Sequence, residues 1–148
     1  TTFALLLPET TMTVDVVQPA PSPAPAHGET ILIVDDEPAV RDAVARTLRR
    51  HHYRVLEAES AAEARVTLAT EGAVVKLILL DQSMPQESGP EALPSLKRLT
   101  EAPVALFTGG LGELPPGAAA LLEKPLVGAE LLRTVRALLD ETSVRVPQ

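Results

Sequence analysis

The sequence contains no cysteine, which excludes disulfides, thiol chemistry and thiolate metal sites. That absence fits a reducing compartment. Lysine is scarce: Lys76, Lys97 and Lys124 are the whole complement, so a lysine in a motif carries more meaning than usual. No apolar run approaches the roughly 18 residues of a membrane span. The apolar start, Phe3 to Leu7, lacks a basic flank and is shorter than a signal-peptide core of about 7–15 residues. Clustered positive charge is missing too. The net charge of −7 argues against a nucleic-acid surface, because phosphate binding relies on grouped Lys and Arg.

What is present suffices for one ordinary domain with some tail: 148 residues, of which 45% are apolar, as in soluble globular proteins. The opening on Thr1 rather than Met leads us to expect a piece of a longer protein. From Gln18 to His27 proline alternates with small residues. Such a stretch makes neither ladder nor helix and favours extended polyproline II. At about 3.1 Å per residue it would form a semi-rigid spacer of about 30 Å, and it marks a domain boundary.

Beyond the spacer, apolar runs alternate with amphipathic stretches. Ile31 to Val34 is a continuous apolar run, as expected of a strand buried on both faces. Pro38 suits a first helical turn, Val40, Val44 and Leu48 mark a helical stripe, and Arg49 and Arg50 suit that helix's negative pole. Tyr53 to Glu57 reads as the second strand. Ser60 with Glu63 forms a capping-box pattern, and the helix that it opens is expected to stop near Gly72. Val74 to Leu80 reads as the third strand and Pro90 to Leu99 as a helix that Pro94 would bend or shorten. Pro103 to Phe107 and Ala120 to Glu123 complete the strands, and a last helix is expected over about Ala129 to Leu139. This alternation predicts a parallel sheet with helices on both faces, and a ligand site beyond the carboxyl ends of the strands.

Polar residues stand at those ends. The first strand runs into Asp35-Asp36, the third into Asp81, the fourth into Thr108 and the fifth into Lys124-Pro125. Three carboxylates held together repel one another unless a cation neutralises them. A hard divalent ion with oxygen ligands is the natural answer, and Mg²⁺ needs few carboxylates beside waters and substrate oxygens. Asp81 is then a candidate carboxylate nucleophile toward phosphorus, with Lys124 and the Thr108 hydroxyl able to meet the transferring group.

Four separated segments and one further glycine carry a family resemblance. Ile-Leu-Ile-Val-Asp35-Asp36-Glu37-Pro38 resembles the opening of a response-regulator receiver domain. Leu80-Asp81-Gln-Ser-Met84-Pro85 followed by Gly89 resembles its phosphoacceptor loop. Phe107-Thr108-Gly and Glu123-Lys124-Pro125 are similar to its switch threonine and its lysine loop. The likeness covers about residues 29–140. It implies a doubly wound, flavodoxin-like α/β fold with five parallel strands in the order 2-1-3-4-5. It also implies Asp81 as phosphoacceptor, Mg²⁺ as cofactor, Asp36 as a direct ligand and Asp35 as one acting largely through water. The Ser83 backbone carbonyl would complete the protein ligands, Thr108 would move toward the phosphoryl group, and Lys124 would pair with it. Pro125 becomes a candidate cis proline. The implied partners are a histidine kinase or histidine phosphotransfer protein, in the cytoplasm, with neither nucleic acid nor membrane contacted by this fragment.

Two departures from the family pattern bear on output. Thr108 and Lys124 are only sixteen positions apart, and Gly109 to Gly117 is a poor helix sequence, so the fourth helix is expected to be missing or reduced to a turn. Leu121 stands three residues before Lys124, where many receivers carry an aromatic switch. Shortened receivers with a Leu-Pro-Pro-Gly approach to the fifth strand resemble those that end hybrid histidine kinases. Residues 1–8, Thr-Thr-Phe-Ala-Leu-Leu-Leu-Pro, look like the last strand of a kinase ATP-binding domain. The expected organisation is therefore that remnant, a linker over 9–28, the receiver over 29–140 and a tail over 141–148. With so short a tail, DNA binding within this chain is not expected.

Plainer readings exist for each residue alone. Asp35-Asp36 would favour a helix dipole, Asp81 and Thr108 would suit turns, and Lys124 would be a solvated lysine. Their joint occurrence argues for the site. His27, His51 and His52 fall in the linker and at a helix end without ligand spacing, and read as surface residues. Two competitors remain: a docking module that keeps the fold without phosphorylation, and an aspartate-nucleophile phosphatase. The phosphatase signature wants a second Asp where Ser83 stands. A nucleotide-binding P-loop is excluded because no Gly-rich loop ends in Gly-Lys-Ser/Thr. The chain itself is thus read as a phosphoacceptor switch, with enzymatic activity belonging to a parent histidine kinase.

Overall fold

Five strands form, each within about a residue of where the sequence places it. In a computed structural model, which describes residues 28–110, 112–124 and 128–145, they are β1 (Thr30–Val34), β2 (Arg54–Ala58), β3 (Val75–Asp81), β4 (Val104–Thr108) and β5 (Ala120–Glu123). All pairings are parallel, in the order β2-β1-β3-β4-β5. Helices α1 (Pro38–Arg50), α2 (Ala61–Glu71) and α3 (Gly89–Leu99) join the first four strands, and α4 (Gly128–Arg145) follows β5.

Alternation along the strands splits the core in two. Ile31, Ile33, Leu77, Leu79, Ala105 and Phe107 pack with Val44 and Leu48 of α1 and Leu131 and Val135 of α4. Leu32, Val34, Ile78, Leu80, Val104 and Leu106 pack with Ala64 and Leu68 of α2 and Leu93 and Leu96 of α3. This period of two decides which strand-end side chains can meet. Asp35, Asp81 and Lys124 continue the first set, whereas Thr108 continues the second.

Local chemistry sets the helix ends. Pro38 occupies the start of α1, and α1 closes with His52 at φ 73°, Tyr53 N–H donating to the Leu48 carbonyl and His52 N–H to that of Arg49. That double bond pattern is a Schellman close with a non-glycine residue in the left-handed position. Ser60 caps α2 by accepting from Glu63 N–H, but the Glu63 carboxylate takes the N–H of Glu59 rather than that of Ser60, so the expected box is only half made. The complete box lies at α3, between Ser88 and Glu91, where the sequence reading had not placed one. Pro94 does not interrupt α3. Its position is exposed, so water can serve the carbonyl that it leaves unbonded.

Between β4 and β5 no helix occurs among the described residues, as the sequence predicted. In its place Ala118 N–H donates to the Pro115 carbonyl, with Pro116 next and Gly117 at φ 92°. Proline followed by a left-handed glycine is the pattern of a type II turn. The last helix outruns its expected end at Leu139 and reaches Arg145, into the presumed tail. No Gly or Pro interrupts the chain between those positions. The kinase-strand remnant, the linker up to His27, Pro125 and the final residues 146–148 lie outside the described residues.

Candidate phosphoacceptor site

Each strand delivers its terminal side chain to the same end of the sheet. Asp35 follows β1 and Asp81 ends β3; they are 1% and 4% exposed, so both carboxylates have lost most of their water. Asp36, one residue on, is exposed. Carboxylate oxygens of Asp35, Asp36 and Asp81 all lie within 4.8 Å of one another. Lys124, arriving from β5, sets its Nζ 3.2 Å from Asp81 Oδ1 and 3.4 Å from Asp35 Oδ2. A cleft of about 480 Å³ opens over Asp36, Asp81 and Lys124, lined also by Glu37, Pro38, Ser83 and Gly109.

Backbone donors hold the carboxylates. Glu37 N–H donates to Asp35 Oδ1 at 2.9 Å, and Ser83 N–H to Asp81 Oδ1 at 3.2 Å. Arg41, one turn into α1, donates through Nη1 to the Asp35 carbonyl at 2.7 Å and reaches Glu57 on β2 through Nε at 3.3 Å. Sequence reading missed Arg41. Its only signal was a cation placed shortly after the acidic pair. Its charge is engaged by Glu57 and by a carbonyl, so among the described residues Lys124 is the cation that meets the buried carboxylates, Asp35 and Asp81.

Protonation equilibria reflect this imbalance. Burial pushes the Asp81 carboxyl above the usual carboxylate range and neighbouring Asp35 adds to it, while the Ser83 N–H and Lys124 pull the other way without prevailing. Burial opposes the Lys124 charge, yet its hydrogen bond to Asp81 and the charges of both carboxylates outweigh this and hold its pKa above the ordinary value. Three carboxylates against one ammonium leave about two negative charges uncompensated, which a divalent cation would match. The donor set is oxygen only, with open cleft beside it for water and substrate oxygens, and this fits Mg²⁺.

Not every expected residue points into the cluster. Thr108 stands at the same end, but its hydroxyl donates to the Gly110 carbonyl at 3.0 Å and accepts from Gly110 N–H at 3.2 Å. Its place on the opposite strand face accounts for this. Leu121 is half-buried against the core on the α2 and α3 side. A wider cleft, about 850 Å³, opens at the other end of the sheet beside Lys76, Lys97 and Arg98. It holds no cluster of carboxylates, so charge and not size selects the site.

Comparison with known proteins decides the family: the model of the response regulator receiver domain matches residues 31–136. The chain belongs to that family. Over 124 residues it is 35% identical to the phosphate regulon transcriptional regulatory protein PhoB of Pseudomonas aeruginosa, covering 78% of this chain and 53% of the relative. The sensor kinase CckA of Brucella abortus is 33% identical over 119 residues, 76% of this chain but only 13% of the kinase. The chain thus spans about half, or much less, of the length of these relatives. Among solved structures, a CheY-like receiver from Methanospirillum hungatei superposes with a TM-score of 0.74 at 29% identity, over 80% of this chain and 98% of that one. The receiver domain of the hybrid histidine kinase CckA gives 0.67 at 33% identity, over 74% and 98%. This receiver therefore has the flavodoxin-like fold that its motifs implied.

Proposed function

We propose that this receiver accepts a phosphoryl group on Asp81 from the phosphohistidine of a histidine kinase or histidine phosphotransfer protein. The observation that carries this reading is the bridge of Lys124 Nζ between Asp81 and Asp35, two buried carboxylates that nothing in the packing of the core requires. Asp35, Asp36, Asp81 and the Ser83 carbonyl would hold Mg²⁺. When bound, the ion would supply positive charge that offsets the charge of the transferring group.

The chain's own residues do the rest. An Asp81 carboxylate oxygen attacks phosphorus in line, and the bond to the donor imidazole nitrogen breaks with its electron pair leaving on that nitrogen. Lys124 follows the developing charge, since its ammonium already faces Asp81. Thr108 exchanges its hydrogen bond with Gly110 for one to a phosphoryl oxygen. The added charge then shifts an existing equilibrium between conformers, which a partner reads. A reading as a cytoplasmic receiver of a hybrid kinase is supported by the likeness to the CckA receiver and by the shortened segment between β4 and β5. It gives partner proteins, not nucleic acid or membrane, as the contacts of this chain.

The test is incubation with acetyl phosphate and Mg²⁺, read by intact mass, beside Asp81→Asn. A gain of one phosphoryl group that needs Mg²⁺ and vanishes in the variant is the expected result. No gain from acetyl phosphate or from purified kinase would favour the second reading, a docking module independent of phosphorylation. That reading draws on Leu121 and on the missing helix, which alter the face through which receivers commonly signal.

A further inference from the structure

The loop that carries Ser83 is closed at its base. Gly89 N–H donates to the Gln82 carbonyl at 3.0 Å, and a Cβ on Gly89 would lie 2.7 Å from the Asp81 carbonyl oxygen. Its outer limb is held differently. Glu87 receives both terminal nitrogens of Arg65 from α2, Nη2 to Oε1 at 3.0 Å and Nη1 to Oε2 at 3.1 Å. The same Nη1 reaches Ser95 Oγ on α3 at 3.2 Å. One guanidinium thus ties the loop to two helices through a planar, two-pronged contact, at side chains 34% and 31% exposed, which keeps it partly out of water. Neither residue touches the carboxylate cluster.

We propose that Arg65 and Glu87 are positioning residues, a latch that fixes the loop so that the Ser83 peptide stays against Asp81. This inference rests on the metal-assisted reading of the site and adds to it the element that keeps the loop in place. A fork contact fixes orientation as well as distance, which an ammonium cannot do. The bland alternative is an ordinary surface ion pair of little consequence.

The two differ in sign. By charge alone, Arg65→Gln removes a cation near the site and would tighten Mg²⁺, while Glu87→Gln would weaken it. The latch requires that both weaken it, by about fivefold for a contact worth about 1 kcal/mol. It also requires faster hydrogen exchange at the Ser83 and Met84 amides in the metal-free protein, and recovery of both properties in the swapped Arg65→Glu/Glu87→Arg protein. Arg65→Lys keeps the charge but loses the fork, and is expected to resemble Arg65→Gln. The measurements are amide exchange and Mg²⁺ titration by ¹⁵N NMR, with thermal melts to show that each variant is folded. Should the wild type show no Mg²⁺-dependent shifts, the metal reading fails, and the exchange rates still judge the latch. Unchanged exchange in both single variants, or Arg65→Gln binding Mg²⁺ as tightly as the wild type or tighter, overturns it.

Discussion

Lys124 and Asp35 stand 89 residues apart in the chain, yet the ammonium of one lies 3.4 Å from the carboxylate of the other. That contact joins the ends of the first and last strands across the sheet, and the 3.2 Å contact of Lys124 with Asp81 adds the end of β3. Removing the ammonium leaves two buried carboxylates facing each other without compensation. Breaking a fully buried pair costs about 3–5 kcal/mol, and Lys124 is partly exposed, so a loss of about 1–3 kcal/mol is expected for Lys124→Ala in EDTA. Mg²⁺ should then recover more stability in the variant than in the wild type, because the emptied site is more negative. Thermal melts with and without Mg²⁺ check this. An equal deficit under both conditions would mean that Lys124 does not share the task of a cation.

Asp81→Asn is expected to stabilise the metal-free domain while abolishing phosphorylation. The folded protein raises the Asp81 pKa, chiefly by burial, so between the unfolded and folded values the native state binds more protons. Stability therefore falls as pH rises through that window, and remains lower above it. The variant lacks this contribution. Subtracting its melting profile from that of the wild type, from about pH 3 to pH 7, should leave a descending step, with the variant higher by a few degrees at neutral pH if the gain is about 1 kcal/mol. A flat difference would show that Ser83 and Lys124 fully offset the burial.

Why these features were legible in the sequence, and others were not, follows from the range over which each is set. Parallel strands buried on both faces read as continuous apolar runs, so Ile31 to Val34 announced itself, while the half-buried edge strand β5 was read from the short apolar stretch Ala120 to Leu122, and the polar residues beyond these strands marked the site. The Gly-rich, Pro-rich stretch from Gly109 to Gly117 likewise announced the missing helix. Ser88 and Glu91 had the spacing of a capping box and were readable, yet the helix was placed one residue late, from Pro90, and its cap went unread. Arg65, Glu87 and Ser95 were not readable, since nothing in their separate segments says that α2 and α3 lie side by side. Nor was the contact of Arg136 with Glu29, 107 residues away, which ties α4 to the entry of β1.

His52→Gly should raise stability. The Schellman close of α1 forces its residue 52 to φ 73°, a conformation in which a Cβ crowds the following carbonyl. Glycine removes that strain, partly offset by its greater freedom when unfolded, for a net gain of roughly 0.5–1 kcal/mol. The site is exposed and far from the carboxylates, so Mg²⁺ binding should not change. Urea denaturation is the measurement, and a loss of stability would show that the imidazole makes up for the strain.

Gly89→Ala tests how tightly the phosphoacceptor strand is packed by its own loop. A Cβ at position 89 would come within 2.7 Å of the Asp81 carbonyl oxygen, 2.9 Å of Leu106 Cδ2 and 3.0 Å of Gln82 Cα. Two of these neighbours are backbone and cannot rotate away, so the loop or the strand end must shift. Overpacking of this kind costs typically about 1–3 kcal/mol. Because the displaced atoms adjoin Asp81, the damage should extend to the site, with weaker Mg²⁺ binding and slower phosphorylation by acetyl phosphate in protein that still melts cooperatively. His52→Gly provides the contrast, a change in stability without a change at the site. If Gly89→Ala lost stability alone, with Mg²⁺ affinity and phosphorylation rate intact, the loop could yield without moving Asp81, and the close approach at residue 89 would serve packing only.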